Sequence, residues 1–302
     1  MPEVIHSFTP PAPPTAPGDQ VPFPLGLARI EHAVFHHEGE FSDGERTYFT
    51  DLMASYAMGP NDMALAGGRT SFTDMVTAVL PRLGLYASGF DLAVLCGAVP
   101  DAQPGFPMGH LSDAVPDAGL GVAVFDQGVI APFTALRLVA AAARTSGCRR
   151  ALVLVTDQSC LLHTRHVPDW LRPEQDSMVV LALDEGPGTD AVCAPQSSTA
   201  RPQDVATLLE QHRALVGTAA TTTVVGHGLA RCLPDPSSTP DTVVTRPGAP
   251  CTGLWSVLAG RLDEWREQGR NVLLADYDET QQRLSTCALR LRPSREAAGR
   301  TA

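Results

Sequence analysis

Short, unbroken apolar runs, each left through a turn residue, constrain this chain more than any other feature. Residues 91–96 (DLAVLC), 121–125 (GVAVF) and 151–155 (ALVLV) are too short for helices. They are also too continuous for strands with one wet face, and runs of this kind read as strands buried in a mainly parallel sheet. Helical patterns separate them. Ser71 predicts an N-cap ahead of Phe72, Met75, Val76, Val79, Leu80 and Leu83, and Pro132 suits the first turn of an alanine-rich helix that Gly147 closes. A strand over 28–35 precedes this set. The second half repeats the pattern, with strands over 178–183, 221–225, 271–275 and 284–291 and helices over 202–215 and 252–268. Strand–helix alternation of this sort predicts an α/β fold.

The two halves also share a junction. Residues 146–157 (SGCRRALVLVTD) and 268–276 (QGRNVLLAD) each follow a long helix, turn on glycine, present arginine and enter a strand ending at aspartate. That pairing sets Asp157 against Asp276 and predicts internal duplication. The expected organisation is a proline-rich N-terminal segment over 1–26, an N-terminal half over 27–170, a C-terminal half over 171–293 and a flexible tail over 294–302. Prolines 10, 11, 13, 14, 17, 22 and 24 make the first segment extended.

Composition removes several kinds of chemistry. All 22 basic residues are arginine, so no lysine is present for a Schiff base, a pyridoxal-phosphate anchor or a P-loop. A formal charge of −11 with no basic patch argues against a nucleic-acid partner. Seven cysteines (96, 148, 160, 193, 232, 251, 287) show no CxxC spacing, so neither a zinc knuckle nor a disulfide framework is expected. No secretory leader and no apolar run of about 20 residues is visible, which predicts a reduced, cytoplasmic protein off the membrane.

The order of elements resembles the ketosynthase III branch of the thiolase superfamily over 27–293. Residues 85–100 are similar to that group's helix-to-strand step, and 125–157 to its nucleophile loop, buried helix and following strand. Residues 175–183 stand at its entry to the second half. Residues 224–230 (VVGHGLA) match its histidine segment, and 248–253 (GAPCTG) its asparagine loop. The resemblance implies a duplicated thiolase-like fold of two similar halves in five αβαβα layers. It also implies a dimer with a continuous sheet, no cofactor, and an acyl carrier protein or acyl-CoA thioester as partner.

Chemistry in that group needs a cysteine acidified at a helix N-terminus, with a histidine and an asparagine stabilising the oxyanion or enolate. Here the nucleophile position falls on Val129 or Ile130, and no Cys, Ser or Thr occupies 126–133. The asparagine position is Ala249. His227 alone remains, as a possible base. Cys251 starts a helix and is a candidate relocated nucleophile, with Cys96 and Cys160 behind it. Asp126 and Gln127 sit at a strand's carboxyl end, where they either line a pocket or cap the next helix. No metal is expected, because His36-His37-Glu38 and His163-x-x-His166 lack companion pairs. Arg144, Arg149 and Arg150, with Arg270 in the other half, suit a structural helix–strand turn better than a phosphate site. Two functions follow from the resemblance. One is a non-condensing partner subunit or scaffold of an active ketosynthase, as homodimer or heterodimer. The other is an acyltransferase or cyclase acting on a carrier-bound thioester without a covalent cysteine intermediate, with His227 as base.

Overall fold

The computed structural model describes residues 22–36, 39–87, 89–105, 107–115, 117–163, 167–216, 220–237 and 241–292. In chain order the strands are β1 (Pro22–Phe35), β2 (Gly39–Glu40), β3 (Gly68–Arg69), β4 (Phe90–Gly97), β5 (Ala118–Val124), β6 (Arg150–Asp157) and β7 (Asp176–Asp184). They continue with β8 (Asp190–Cys193), β9 (Gln196–Thr199), β10 (Thr221–Val225), β11 (Thr242–Val244), β12 (Asn271–Asp278) and β13 (Arg283–Arg290). The helices are α1 (Asp43–Ser55), α2 (Asp62–Ala66), α3 (Phe72–Val79), α4 (Pro107–Ala114), α5 (Ala131–Thr145), α6 (Val205–Val216), α7 (His227–Ala230) and α8 (Gly253–Glu267).

Duplication is written into the sheet. One half runs β5-β4-β6-β7-β1 and the other β11-β10-β12-β13-β8. In each, three parallel strands are followed by two antiparallel pairings. The halves join where the start of β1 pairs with β8, Leu27 opposite Asp190. Sheet order therefore begins earlier than the strand expected at 28, since Pro22 already belongs to β1, and β7 pairs with β1 and β6. A division at residue 170 instead puts β7 with the second half. The segment before Pro22 and the tail from 293 lie outside the described residues.

Three apolar clusters account for the layers. Phe72, Met75, Val76 and Val79 of α3 and Leu111 of α4 pack on the outer face of the first half-sheet. Val205 and Leu209 of α6 and Leu229 of α7 cover the outer face of the second. Between them, α5 and α8 share one core with strands of both halves, and Phe133 meets Trp255 at a ring separation of 5.8 Å. The stretch Gly128–Thr145 is long and apolar enough to cross a membrane by length and composition, and is more than half buried here. Its apolarity is that of a helix covered on two faces by strands. A fourth, small cluster joins Phe41, Phe49 and Leu65 to Ala102 and Cys160, holding α1 and α2 against the domain.

Local chemistry explains several boundaries. Ser71 and Asp74 form a capping box at α3, as do Ser42 and Glu45 at α1. Gly147 and Gly269, both at positive φ, turn the ends of α5 and α8 into β6 and β12. The arginines at these turns are engaged with carboxylates: Arg149 with Glu185, Arg150 with Asp184 at 3.5 Å, and Arg270 with Asp241 at 2.5 Å.

Candidate functional site

The loops at 126–130, 227–229 and 249–252 converge on the carboxyl ends of β6 and β12. The Cys251 thiol lies 3.4 Å from the Gly128 carbonyl, which ties the first loop to the third. Gly228 packs so close to β12 that an added Cβ would lie 2.3 Å from the Tyr277 carbonyl.

What occupies this junction is a set of buried aspartates. The Asp157 carboxylate accepts from Cys251 N at 3.1 Å, from Thr252 N at 2.8 Å and from Thr252 Oγ1 at 2.7 Å, capping the start of α8. Asp278 accepts from the backbone N–H of Val129, at the entry to α5, and from Gln281 N at 2.9 Å. Asp276 accepts from Leu229 N at 2.9 Å and from the N–H of Gly228, at the start of α7. The symmetry partner of Asp157 is thus Asp278, not Asp276. Each is the last residue of its central strand, and each reaches across to the other half's central helix. Taking the first aspartate after each apolar run sets Asp157 against Asp276; the strand ends set it against Asp278.

This arrangement answers the capping question at α5. Gln127, at the start of the single 3-10 turn over 128–130 that leads into α5, makes no side-chain cap bond, and Asp278 of β12 accepts from Val129 within that turn instead. Asp126 and Gly128 both adopt positive φ, which lets the chain turn tightly over Asp278. A Cβ at Gly128 would lie 2.0 Å from Asp278 Oδ2, and one at Gly226 would lie 2.0 Å from Asp276 Oδ2.

Electrostatics follow from burial. Loss of solvent pushes Asp157 up to about 7, opposed by the donors of Thr252 and Cys251. Burial likewise raises Asp276 to about 7, against the pull of the Leu229 and Tyr277 amides, and raises Asp278. The Cys251 thiol is fully buried beside Asp157 and is held well above its ordinary range, first by burial and then by that carboxylate. Such a thiol stays protonated and is a poor nucleophile. Cys96 is buried and raised in the same way, and Cys160 is pushed up to about 11.

Val129 and Ile130 are buried at 2% and 3% exposure, with branched aliphatic side chains at the position where the resemblance sets the nucleophile. His227 opens the short helix α7 and is half-buried. Burial, followed by nearby Arg231, lowers its pKa, with Glu174 opposing, so the imidazole is neutral near pH 7. Ala249 sits on a cavity of about 650 Å³ with Glu174, Arg246 and the first turns of α8.

A second cavity, of about 880 Å³, lies beneath α1. Tyr48, Phe49, Leu52 and Met53 form one wall, and Asp101, Asp126, Gly128, Cys160, His163 and Asp278 are on others. Val129, Ile130, His227 and Cys251 line neither of these two cavities. Sequence reasoning missed Asp157, Asp278 and Asp101 as site residues. It also missed α1, whose Ser42-x-x-Glu45 box was the available signal. Among the described residues no group of three or more His, Cys, Asp or Glu is placed to hold a metal. His37, Glu38, Arg165 and His166 lie outside the described residues. All seven cysteines are free thiols.

No protein-family model and no curated protein matches the sequence. Solved structures do. The tetronic acid condensing enzyme AbyA1 superposes with a TM-score of 0.60 at 12% identity, over 88% of this chain and 99% of its own. OleA of Xanthomonas campestris, bound to cerulenin, gives 0.59 at 10% identity over 88% and 98%. The acyltransferase ChlB3 gives 0.61 at 16% identity over 89% and 98%. Identities this low carry the fold and not the activity. The mirrored half-sheets, the paired central helices and these superpositions together give the chain the duplicated thiolase-type fold of the ketosynthase III group.

Proposed function

We propose that this chain is a non-condensing, ketosynthase III-like subunit of acyl-thioester biosynthesis in a polyketide, fatty-acyl or other secondary-metabolite pathway. It would pair with an active ketosynthase and meet acyl groups as carrier-protein or coenzyme A thioesters in the reducing cytoplasm. One observation carries the reading: the entry to α5 holds aliphatic Val129 and Ile130, and the Asp278 carboxylate already engages its free amide. A helix N-terminus favours an anion placed against its free N–H groups. Here a resident carboxylate takes that place, so the thiolate-stabilising function has been exchanged for a structural cap. Among the described residues β5 is the outermost strand of its half-sheet, and with Leu120 66% exposed this supports pairing with a second subunit along that strand.

Co-expression with ketosynthase III-like proteins encoded nearby tests the reading. A stable heterodimer whose condensing rate is unchanged by His227→Ala here is the expected result. A monodisperse homodimer that pairs with no ketosynthase would end it. The competing acyltransferase or cyclase reading draws support from the neutral, half-buried His227 imidazole. Thioester turnover by the isolated chain, abolished by His227→Ala, would put that reading in its place.

A further inference from the structure

We propose that the cavity beneath α1 binds an uncharged, apolar acyl chain and that its carboxylates reject chains ending in a carboxylate. The proposal rests on the reading above that this protein meets acyl thioesters, and it adds the class of acyl group. At about 880 Å³ the cavity has the size of a small-molecule site. Leu52, Met53, Leu161 and Leu171 give it an apolar lining that suits an alkyl chain.

Set into that lining are three carboxyls on three different segments: Asp101, Asp126 and Asp278. His163 is the one basic side chain among the described residues that line it. Two nearby arginines are engaged elsewhere: Arg69 is bound to Glu45 and stacked 3.9 Å over the Phe41 ring, and Arg172 pairs with Asp169 at 3.1 Å. Asp101 is anchored by Phe72 N at 3.0 Å and Gln158 Nε2 at 3.0 Å, so it cannot swing away from an incoming anion without losing both bonds. A carboxylate-ended chain entering here gives up part of its hydration to an apolar lining and meets like charge. An alkyl chain meets neither cost.

Titration calorimetry on the full-length protein at pH 8, with N-acetylcysteamine thioesters of octanoic acid and of its equally long ω-carboxy counterpart, tests this. The octanoyl probe should bind at least about tenfold more tightly, a difference of about 1.4 kcal/mol. Leu52→Trp, which fills the cavity, should abolish octanoyl binding. Asp278→Asn should narrow the gap between probes, and so should Asp126→Asn. Asp126 is exposed with φ of 61°, a conformation that asparagine tolerates, so the second variant keeps the fold. Equal affinities, tighter binding of the ω-carboxy probe, octanoyl binding indifferent to Leu52→Trp, or no binding of either probe would each overturn the proposal. No binding by a chain that still pairs with a ketosynthase would sink this inference alone. Selective binding by a chain that pairs with nothing would sink the subunit reading alone.

Discussion

Replacing Asp157 by asparagine should change the pH dependence of stability in a calculable way. In the unfolded chain this carboxyl titrates at an ordinary 3.8; in the folded protein burial holds it at about 7. A raised carboxyl pKa means that the folded state binds the proton more tightly. Its contribution to stability is therefore fullest below the unfolded pKa and is lost as pH rises through the folded one. Between about pH 5.5 and about pH 8 the unfolded group stays ionised, while the folded group remains protonated for roughly the first 1.5 units. At about 1.36 kcal/mol per unit, wild type loses about 2 kcal/mol over that interval which the asparagine variant cannot lose. Asparagine still offers Oδ1 to Thr252 N but leaves a donor facing Cys251 N, so it should destabilise at the lower pH. The measurement is urea unfolding of both proteins at the two pH values. The deficit of the variant should shrink by about 2 kcal/mol at the higher pH. Parallel profiles would show that Asp157 is not held protonated by burial, and the electrostatic account of the junction would fail with it.

Three further outcomes follow from named contacts. Gly128→Ala combines a φ of 53° with a Cβ 2.0 Å from Asp278 Oδ2, and should cost roughly 2–4 kcal/mol in denaturant unfolding. Arg69→Met removes a buried guanidinium from Glu45 and Phe41; it should loosen α1 first, read as faster amide exchange over 43–55 than over α5. Alkylation followed by mass spectrometry should find Cys193 and Cys232, both partly exposed, modified well before Cys251, Cys96 or Cys287.

Much of the frame was legible because its central elements are buried on both sides. Strands β4, β6 and β12 are continuous apolar runs, and α5 is alanine-rich because it lies between two half-sheets. Elements with little core to bury left weaker marks. In α1 just Phe49 and Met53 are buried, so no helical stripe appears, and β8 and β9 are four residues each. The site divides in the same way. Positions 129, 130, 227 and 249 rest on the resemblance of segment order, and of these only Ala249 lines one of the two cavities described. Aspartates at the ends of β6 and β12 carry no such signal, because strand-end aspartates are common and their partners are remote. Asp157 meets Cys251 across 94 residues of sequence, a contact that exists only after both halves have packed. The prolines over 1–21 fall outside the described residues.

The central claim is that the α5 entry no longer favours an anion because Asp278 holds its amide. Installing the missing thiol tests it most directly. In Ile130→Cys, the pH dependence of iodoacetamide alkylation at residue 130, followed by peptide mass spectrometry, gives the thiol pKa. With a carboxylate beside it, that value should lie above the ordinary cysteine value of about 8.5, and Asp278→Asn in the same background should bring it down. A thiol at residue 130 already depressed to about 7 or below with Asp278 in place would mark a working, anion-binding helix N-terminus and contradict the account.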